Sequence, residues 1–415
     1  MEYIDTKKFL IEFSIILKSK SILERSLIII WSFMPFLMMI SKTITDILIV
    51  IIAFSFLIFS TLKNSWSWAK IYWVKYAFFF FLISVISALL SKFPLISLSN
   101  GISWIRFPLF AIAISFWLIK DKKTLYFGLI INLLSLIFIF ILMGAESLLT
   151  EHKSFTWPFR NPLNGPFIHR IGLLFFCISL FILFTKNNFK ITLSIFVLVS
   201  IFFSLLSGHR AGSFSFIIIV FVLTFWPKFN FRRSFLAILL LSGLLFFYFL
   251  FNQDDLDRYF FGIYNLSNSS LLQYLGQWKT GLHVFLDNPL IGVGPTNVQN
   301  YLTENLIENF DPYKNKEHPH NHYIQGFSET GIIGGLLYIT MFSSILLHVY
   351  RNTKNKYDNV DSILINSLFI VSICIFWPFA NNYDLFGQQQ NAFLWYVISI
   401  ILITSNQIKK IKKYE

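Results

Sequence analysis

Residues 45–62 read TDILIVIIAFSFLIFSTL, and runs of this kind decide the fold class of the chain. Asp46 is the one charged residue in the stretch. A helix needs about 20 consecutive apolar residues to cross roughly 30 Å of hydrocarbon. Comparable runs lie at 71–90, 190–206 and 235–251. Because lipid offers no hydrogen bonds to the backbone, these runs are predicted to be transmembrane helices, which satisfy their own peptide groups.

The composition of the whole chain supports an all-α polytopic membrane protein. Of its 415 residues, 55% are hydrophobic and 13% are charged, whereas a soluble domain carries about 25% charged residues. The short alternating segments of a membrane β-barrel are absent. About twelve transmembrane helices are predicted, and they lie near residues 26–41, 44–62, 71–90, 102–119, 124–143, 166–184, 190–206, 211–226, 233–251, 331–350, 361–378 and 390–405.

The net charge of +13 is explained by membrane topology rather than by nucleic-acid binding. Lysine and arginine are concentrated at both termini and in every second loop, as at 120–123, 186–190 and 351–356. Cytoplasmic loops of membrane proteins carry this excess of positive charge. We therefore expect both termini in the cytoplasm, contacts with membrane lipids and no nucleic-acid partner.

One outward loop is long enough to form a subdomain, and it divides the chain into three parts. Residues 1–251 hold the first nine predicted transmembrane helices, residues 252–330 form the loop, and residues 331–415 hold the last three. Apolar residues recur at helical spacing at 271–285 and again at 298–310, which predicts two amphipathic helices in the loop. These helices could lie on the membrane surface, or they could pack over the helical bundle.

Three histidines end this loop at a spacing of two residues, namely His318, His320 and His322. In an extended segment all three side chains would point to one side, as a zinc or copper site requires. Pro319 constrains the backbone, however, and no nearby cysteine completes a closed site, so we predict no metal. No phosphate-binding loop with the Gly-x-x-x-x-Gly-Lys pattern occurs either, and no cofactor is predicted.

Arginines mark the outward ends of two predicted spans. Arg170 begins the sixth span and Arg210 lies in the turn before the eighth, whereas Arg106 lies inside the fourth. A charge at membrane depth is costly and usually faces a partner or a polar cavity. We expect Arg106 to pair with a carboxylate. Arg170 and Arg210 could merely reach the membrane interface, but two guanidinium groups on one face also suit a phosphate ligand.

Several motifs together resemble the bacterial O-antigen ligase and O-antigen polymerase superfamily. His320-Asn321 is followed after nine residues by Gly331-Ile332-Ile333-Gly334, which resembles the family's His-Asn…Gly-x-x-Gly signature. Three further motifs also resemble family segments, and they are Trp278…Asn288-Pro289…Gly292-Val293-Gly294, Ser207-Gly208-His209-Arg210-Ala211 and His169-Arg170. The similarity covers about residues 160 to 350.

The resemblance implies a GT-C-like glycosyltransferase of the bacterial inner membrane, with its large loop in the periplasm. Its donor would be a glycan linked to undecaprenyl diphosphate. The acceptor hydroxyl would belong to lipid A–core in a ligase, or to a lipid-linked glycan in a polymerase. A flippase or transporter is a third hypothesis, and the large loop disfavours it because transporters bind their substrates near the midplane.

The resemblance also implies roles for individual residues. His320 would be the general base, with His318 as the second candidate, and Arg170 and Arg210 would bind the diphosphate. The remaining supporting candidates are Asn321 and Glu329, together with Lys279 and Arg258, either of which could replace an arginine that many ligases carry before the Asn-Pro turn.

Overall fold

The computed structural model describes residues 6–150, 155–185, 191–225, 242, 270–304, 318–353, 360–378 and 384–414. This part of the chain consists of helices and the turns between them. The helices are α1 Thr6–Lys18, α2 Ile22–Ile40, α3 Lys42–Leu62, α4 Tyr72–Leu90, α5 Pro94–Trp104, α6 Arg106–Ile112, α7 Lys122–Leu149, α8 Asn164–Phe167, α9 Leu173–Thr185, α10 Ile191–Leu206, α11 Arg210–Phe225, α12 Ser270–Asp287, α13 Val298–Glu304, α14 His322–Tyr350, α15 Val360–Phe376 and α16 Gln388–Tyr414. A 3₁₀ turn at Ser67–Lys70 and π-helical turns at Ala113–Leu118 and Ile168–Gly172 complete the set.

The predicted all-α polytopic fold is confirmed. Eleven of the twelve predicted spans coincide with helices, and the span at 233–251 lies outside the described residues apart from Ser242. Within the described part, seven segments are long and apolar enough to cross a membrane. They are Ile22–Ile40, Lys42–Leu62, Tyr72–Leu90, Pro94–Leu118, Lys122–Leu149, Asn164–Leu183 and His322–Tyr350. The total of twelve stays a prediction.

Helices α2 and α3 are joined by one residue, Ser41. Its backbone is extended, with φ −160° and ψ 125°. The Ser41 N–H donates to Leu37 O at 3.0 Å, and its hydroxyl accepts from Ile44 N at 3.3 Å. Ser41 therefore ends one helix and caps the next, which explains how two membrane-length helices fit around so short a turn.

The interior of the bundle is built around α16, which packs against α6, α3 and α15. Its residues 392–403 are buried throughout, and the Trp395 ring lies tilted against Trp73 and edge-on to Trp104. The expected partner of Arg106 is Asp46, whose Oδ1 lies 2.7 Å from the buried guanidinium. This ion pair joins α3 to α6 and removes the cost of an isolated charge among apolar helices.

The loop helices pack over the bundle, which is the second of the two alternatives for this region. Helix α12 lies against α14 and α13. A small apolar cluster joins the loop helices to the turn between them, and it consists of Val284, Val293, Val298 and Leu302. The described part of the loop therefore rests on α14, the helix that directly follows the histidine segment.

Helix α14 differs from its predicted span in one respect. It begins at His322, nine residues before the predicted start at 331. Gly331 lies inside it with φ +67° and ψ −171°, a kink rather than a helix start. Gln325 and Glu329, expected in the loop, therefore belong to the first part of this kinked helix.

Candidate functional site

The N-terminal end of α14 is fixed by Asn321, the residue before the helix. The Asn321 Oδ1 atom accepts from Tyr323 N at 3.0 Å and from Ile324 N at 3.2 Å. Its Nδ2 donates to Pro378 O at 3.0 Å. Asn321 therefore caps α14 and ties its start to the segment that follows α15. These contacts position the residues on either side of it, including His320.

The three histidines of the cluster have different surroundings. His320 has a left-handed backbone with φ +47°, so the segment is not extended and the condition for three side chains on one side is not met. The rings of His318 and His320 lie 4.0 Å apart between centroids, and Tyr274 of α12 meets His320 edge-on at 5.8 Å. His322 is buried, and its Nδ1 lies 3.1 Å from the Tyr338 hydroxyl. His320 is half-buried, which leaves part of its surface open to solvent.

Gln325, one turn into α14, links two carboxyl groups. Its Nε2 donates to Asp384 Oδ1 at 2.7 Å and to Glu329 Oε1 at 3.1 Å. Its Oε1 accepts from Leu385 N at 2.7 Å. Glu329 is buried, and Asp384 lies in the segment before α16. Gln325 therefore binds the Asp384 segment to the start of α14.

The Asp384 carboxyl is influenced by His320 as well as by Gln325. Burial raises the pKa of Asp384, while hydrogen bonds from Gln325 and Phe386 N and the nearby His320 imidazole act in the opposite direction. The net shift of the pKa is upward. Burial of the Asp384 carboxyl therefore outweighs its two hydrogen bonds and the nearby imidazole.

A backbone clamp joins the loop to the kink in α14. In the turn at 289–294, Val293 N donates to Ser328 O at 3.0 Å and Gly294 N to Glu329 O at 2.9 Å. In the other direction, Ile332 N donates to Pro289 O at 2.8 Å. The carbonyls that the kink releases from helical bonding thus gain new partners. Two motifs that are nearly forty positions apart in the sequence are in direct contact.

Two glycines make this clamp possible. Gly292 has φ +74° and Gly331 has φ +67°, backbone conformations that side chains disfavour. A Cβ atom at Gly292 would lie 2.4 Å from the Glu329 carbonyl carbon, and one at Gly331 would lie 2.2 Å from Leu290 O. The close approach of the two backbones therefore requires glycine at both positions.

Arg170 lies beneath this region in the π-helical turn Ile168–Gly172. Its side chain is buried, and Nη1 lies 3.4 Å from Ile375 O. It is close enough to His322, Tyr323 and Tyr338 to interact electrostatically with each. The Arg170 charge thus lies under the first turn of α14.

The His169-Arg170 pair also meets the Ser207–Gly212 turn. His169 Nε2 lies 3.0 Å from the Ser215 hydroxyl, and the His169 and His209 rings are 5.5 Å apart. Gly212 N donates to His209 Nδ1 at 3.1 Å. Helix α11 begins at Arg210, directly after this turn. The structure does not describe the Arg210 side chain, so its role in diphosphate binding stays a prediction.

Lys279 and Arg258 are the two candidates to replace the family's loop arginine. Lys279 lies on α12 and is exposed, whereas Arg258 lies outside the described residues.

Across the described part of the chain, no group of three or more His, Cys, Asp and Glu side chains is arranged to hold a metal ion.

Asp384 and Tyr338 are site residues that the sequence reasoning missed. Asp384 lies between two predicted spans, and the charge alternation puts that loop on the outward side together with the histidines. An acidic residue in a short outward loop was the available signal. Tyr338 lies within an apolar span, and nothing in the sequence distinguishes it from its neighbours.

Comparison with known families agrees with the motif reading. Residues 195–339 match the family model described as O-Antigen ligase. The matched region includes the Ser207–Gly212 turn, the clamp and the histidine cluster, while Arg170 and Asp384 lie outside it. No curated protein matched the chain. The match confirms the resemblance to the O-antigen ligase superfamily and, with the apolar helices, indicates a multi-pass inner-membrane protein of the glycosyltransferase type.

Proposed function

We propose that this protein transfers a glycan from undecaprenyl diphosphate to an acceptor hydroxyl at the periplasmic face, as an O-antigen ligase acting on lipid A–core. One observation carries the proposal. The backbone clamp brings the Asn-Pro…Gly-x-Gly turn against α14, so that two motifs of one family form one structural unit. His320 lies at the outward end of this unit, and Arg170 lies under its first turn.

The reaction is a displacement at the anomeric carbon of the donor sugar. The acceptor oxygen forms the new bond to that carbon while its proton passes to a ring nitrogen of His320. The bond between the carbon and the diphosphate oxygen breaks, and the diphosphate leaves with the electron pair. The proton on His320 then returns to solvent or to the diphosphate. Such a single displacement inverts the anomeric centre.

The residues supply what this reaction needs without a metal. An imidazole, with an ordinary pKa of about 6.5, is a suitable base near neutral pH. The departing diphosphate accumulates negative charge, and buried guanidinium groups stabilise such charge strongly because water is excluded. We assign that role to Arg170 and Arg210. Asn321 and Glu329 support the site, and Lys279 or Arg258 adds a further positive charge for the donor.

The histidine environments favour His320 over its neighbours as the base. His320 is partly open to solvent, whereas His322 is buried with one ring nitrogen against Tyr338. An acceptor sugar arriving from the periplasm could therefore meet His320 first. His318 stays the second candidate because its ring lies beside that of His320.

A deletion strain tests the proposed function. If the protein is a ligase, deletion of its gene leaves lipid A–core without polymer, while polymer continues to build on the carrier lipid. A single repeat unit still attached to the core would instead identify the alternative, a polymerase that uses a lipid-linked acceptor. Lipopolysaccharide gels and extraction of the carrier lipid distinguish the two. If both pools keep their wild-type polymer lengths, neither activity belongs to this protein.

Arg170→Lys is expected to reduce transfer by about tenfold or more, because lysine keeps the charge but loses the planar fork that binds phosphate oxygens in pairs. The measurement is the rate of transfer by the purified full-length enzyme from a lipid-diphosphate donor. Arg160→Lys provides a matched control, since Arg160 is exposed and lies in the loop before α8. Equal transfer rates for the Arg170→Lys enzyme and the wild type would show that Arg170 does not bind the donor diphosphate.

A further inference from the structure

We propose that helix α1 lies in the membrane interface, where its lysines bind the headgroups of anionic phospholipids and its exposed apolar side chains insert beside the acyl chains. This inference is independent of the proposed glycan transfer, since α1 belongs neither to the clamp nor to the histidine cluster. It assigns α1 a lipid partner of stated charge, beyond the contact with acyl chains that any transmembrane helix makes.

The position of α1 puts it next to the membrane boundary. It ends at Lys18, and the membrane-length helix α2 begins at Ile22. Helix α7, which is also of membrane length, begins at Lys122, and Phe13 of α1 stacks on its Phe127 with ring centroids 4.1 Å apart. Five residues of helix rise about 7.5 Å, so α1 lies against the first two turns of α7. This distance matches the depth of about 5–10 Å at which interfacial helices insert.

Three contacts fix the side of α1 that faces the bundle. Phe13 is buried against its ring partner on α7. Glu12 Oε2 forms an ion pair with Lys123 Nζ at 2.8 Å. At the C-terminal end, Arg25 Nη2 of α2 donates to Lys18 O at 3.0 Å. Because α1 is held at both its middle and its end, the side chains on its other faces point away from the bundle.

The exposed surface of α1 is apolar in the middle of the helix and basic at its ends. Leu10, Ile11 and Ile15 are 49%, 52% and 63% exposed. Three exposed lysines stand at the two ends of the helix, namely Lys7, Lys8 and Lys18. Lysine stems lie along apolar surface while their ammonium groups reach polar surroundings, which suits the headgroup region. Glu12, the one acidic residue of α1, pairs with Lys123, so the exposed surface is positively charged.

This charge decides between two possible occupants of the exposed surface. A second copy of α1 would place lysines against lysines in either orientation, because both ends of the helix are basic, and like charges repel. Anionic headgroups are complementary to the same lysines, and basic residues beside a transmembrane helix attract them. Anionic phospholipid therefore fits both the basic ends and the apolar middle of α1.

The test is contact between α1 and brominated phospholipids. The full-length Ile15→Cys protein is labelled with bimane, a reaction that the native Cys177 and Cys374 resist because both are buried. It is reconstituted in vesicles of equal parts phosphatidylglycerol and phosphatidylcholine, with bromine on the acyl chains of one lipid or the other. We expect brominated phosphatidylglycerol to be enriched at the probe by about fivefold over brominated phosphatidylcholine, the factor that one lysine near an anionic surface contributes.

Two further proteins separate charge from simple lipid contact. The triple variant Lys7→Gln, Lys8→Gln and Lys18→Gln keeps the apolar side chains, and in it both lipids should quench the Ile15→Cys probe equally. Phe54 lies in the middle of α3 and is 63% exposed, so a probe on Phe54→Cys should be quenched equally by the two lipids in the otherwise unchanged protein.

Three outcomes would overturn the inference. Equal quenching by the two lipids at Ile15→Cys, with all lysines present, would exclude a preference for anionic lipid. The same preference in the triple variant would show that the lysines do not cause it. Quenching by neither lipid, together with disulfide-linked dimers of the unlabelled Ile15→Cys protein, would identify a second copy of the chain as the occupant.

Discussion

Alanine in place of His320 is expected to reduce glycan transfer by about 10²–10⁴-fold, the range that a positioned general base contributes. The acceptor hydroxyl then has no group to take its proton as the new bond forms. The side chain is half-buried and lies beside the Tyr274 and His318 rings, so removing it should leave the fold intact. The measurement is polymer attached to lipid A–core in a complemented deletion strain, together with the transfer rate of the purified enzyme.

His283→Ala is the matched control for this experiment. His283 is another histidine of the loop, on α12, where it pairs with Asp287 at 3.0 Å. Both variants lose one imidazole, but only His320 directly precedes the Asn321 cap of α14. Wild-type transfer is expected for His283→Ala. If His320→Ala transfers at the wild-type rate with normal protein levels, the base is another group, with His318 the next to test.

Gly331→Ala is expected to destabilise the protein by roughly 3 kcal/mol or more, since the backbone conformation at this position is essentially restricted to glycine. The new Cβ would also lie 2.2 Å from Leu290 O and 2.5 Å from Ile291 N. Neither backbone atom can move without breaking the clamp. We expect loss of the folded protein from membranes, or a clear fall in its thermal midpoint, measured by size-exclusion chromatography after heating in detergent.

The same substitution at Gly144 separates this effect from the general consequence of adding a methyl group. Gly144 lies in α7, and a Cβ there would meet only the Phe203 ring, at 3.9 Å. Alanine also favours the helix over glycine, so Gly144→Ala should be neutral or stabilising. A Gly331→Ala protein as stable as the Gly144→Ala protein would show that the kink tolerates a side chain and that the clamp can rearrange.

The fold could be predicted from the sequence because the membrane imposes one dominant rule. Apolar runs of sufficient length must become helices, and the positions of lysine and arginine then test their order. The start of α14 was not predicted because Gln325 and Glu329 interrupt the apolar pattern. In the structure their polar groups bond to Asp384, Leu385 and each other, which allows a polar segment to be helical.

The candidate site could be predicted only in part, because its motifs are local and its contacts are not. The spacing of the histidines indicated a site, but it did not reveal the left-handed backbone of His320 or the contact between the His318 and His320 rings. The resemblance singled out the Asn-Pro turn and the Gly-x-x-Gly segment, but their contact depends on main-chain hydrogen bonds that no side chain encodes. Asp384 reaches the site through Gln325, fifty-nine positions away in the chain.

The clamp has a consequence for how enzymes of this architecture can diverge. Its bonds run between backbone atoms, and only the glycines are required by the close approach of the two chains. The side chain of Leu290, inside the clamped turn, is 68% exposed and takes no part in these bonds. Under the proposed function, mutations there can therefore alter the surface offered to an arriving sugar without disturbing the base. New acceptor preferences could therefore arise by substitution of exposed residues in the turn, while the backbone geometry of the clamp stays the same.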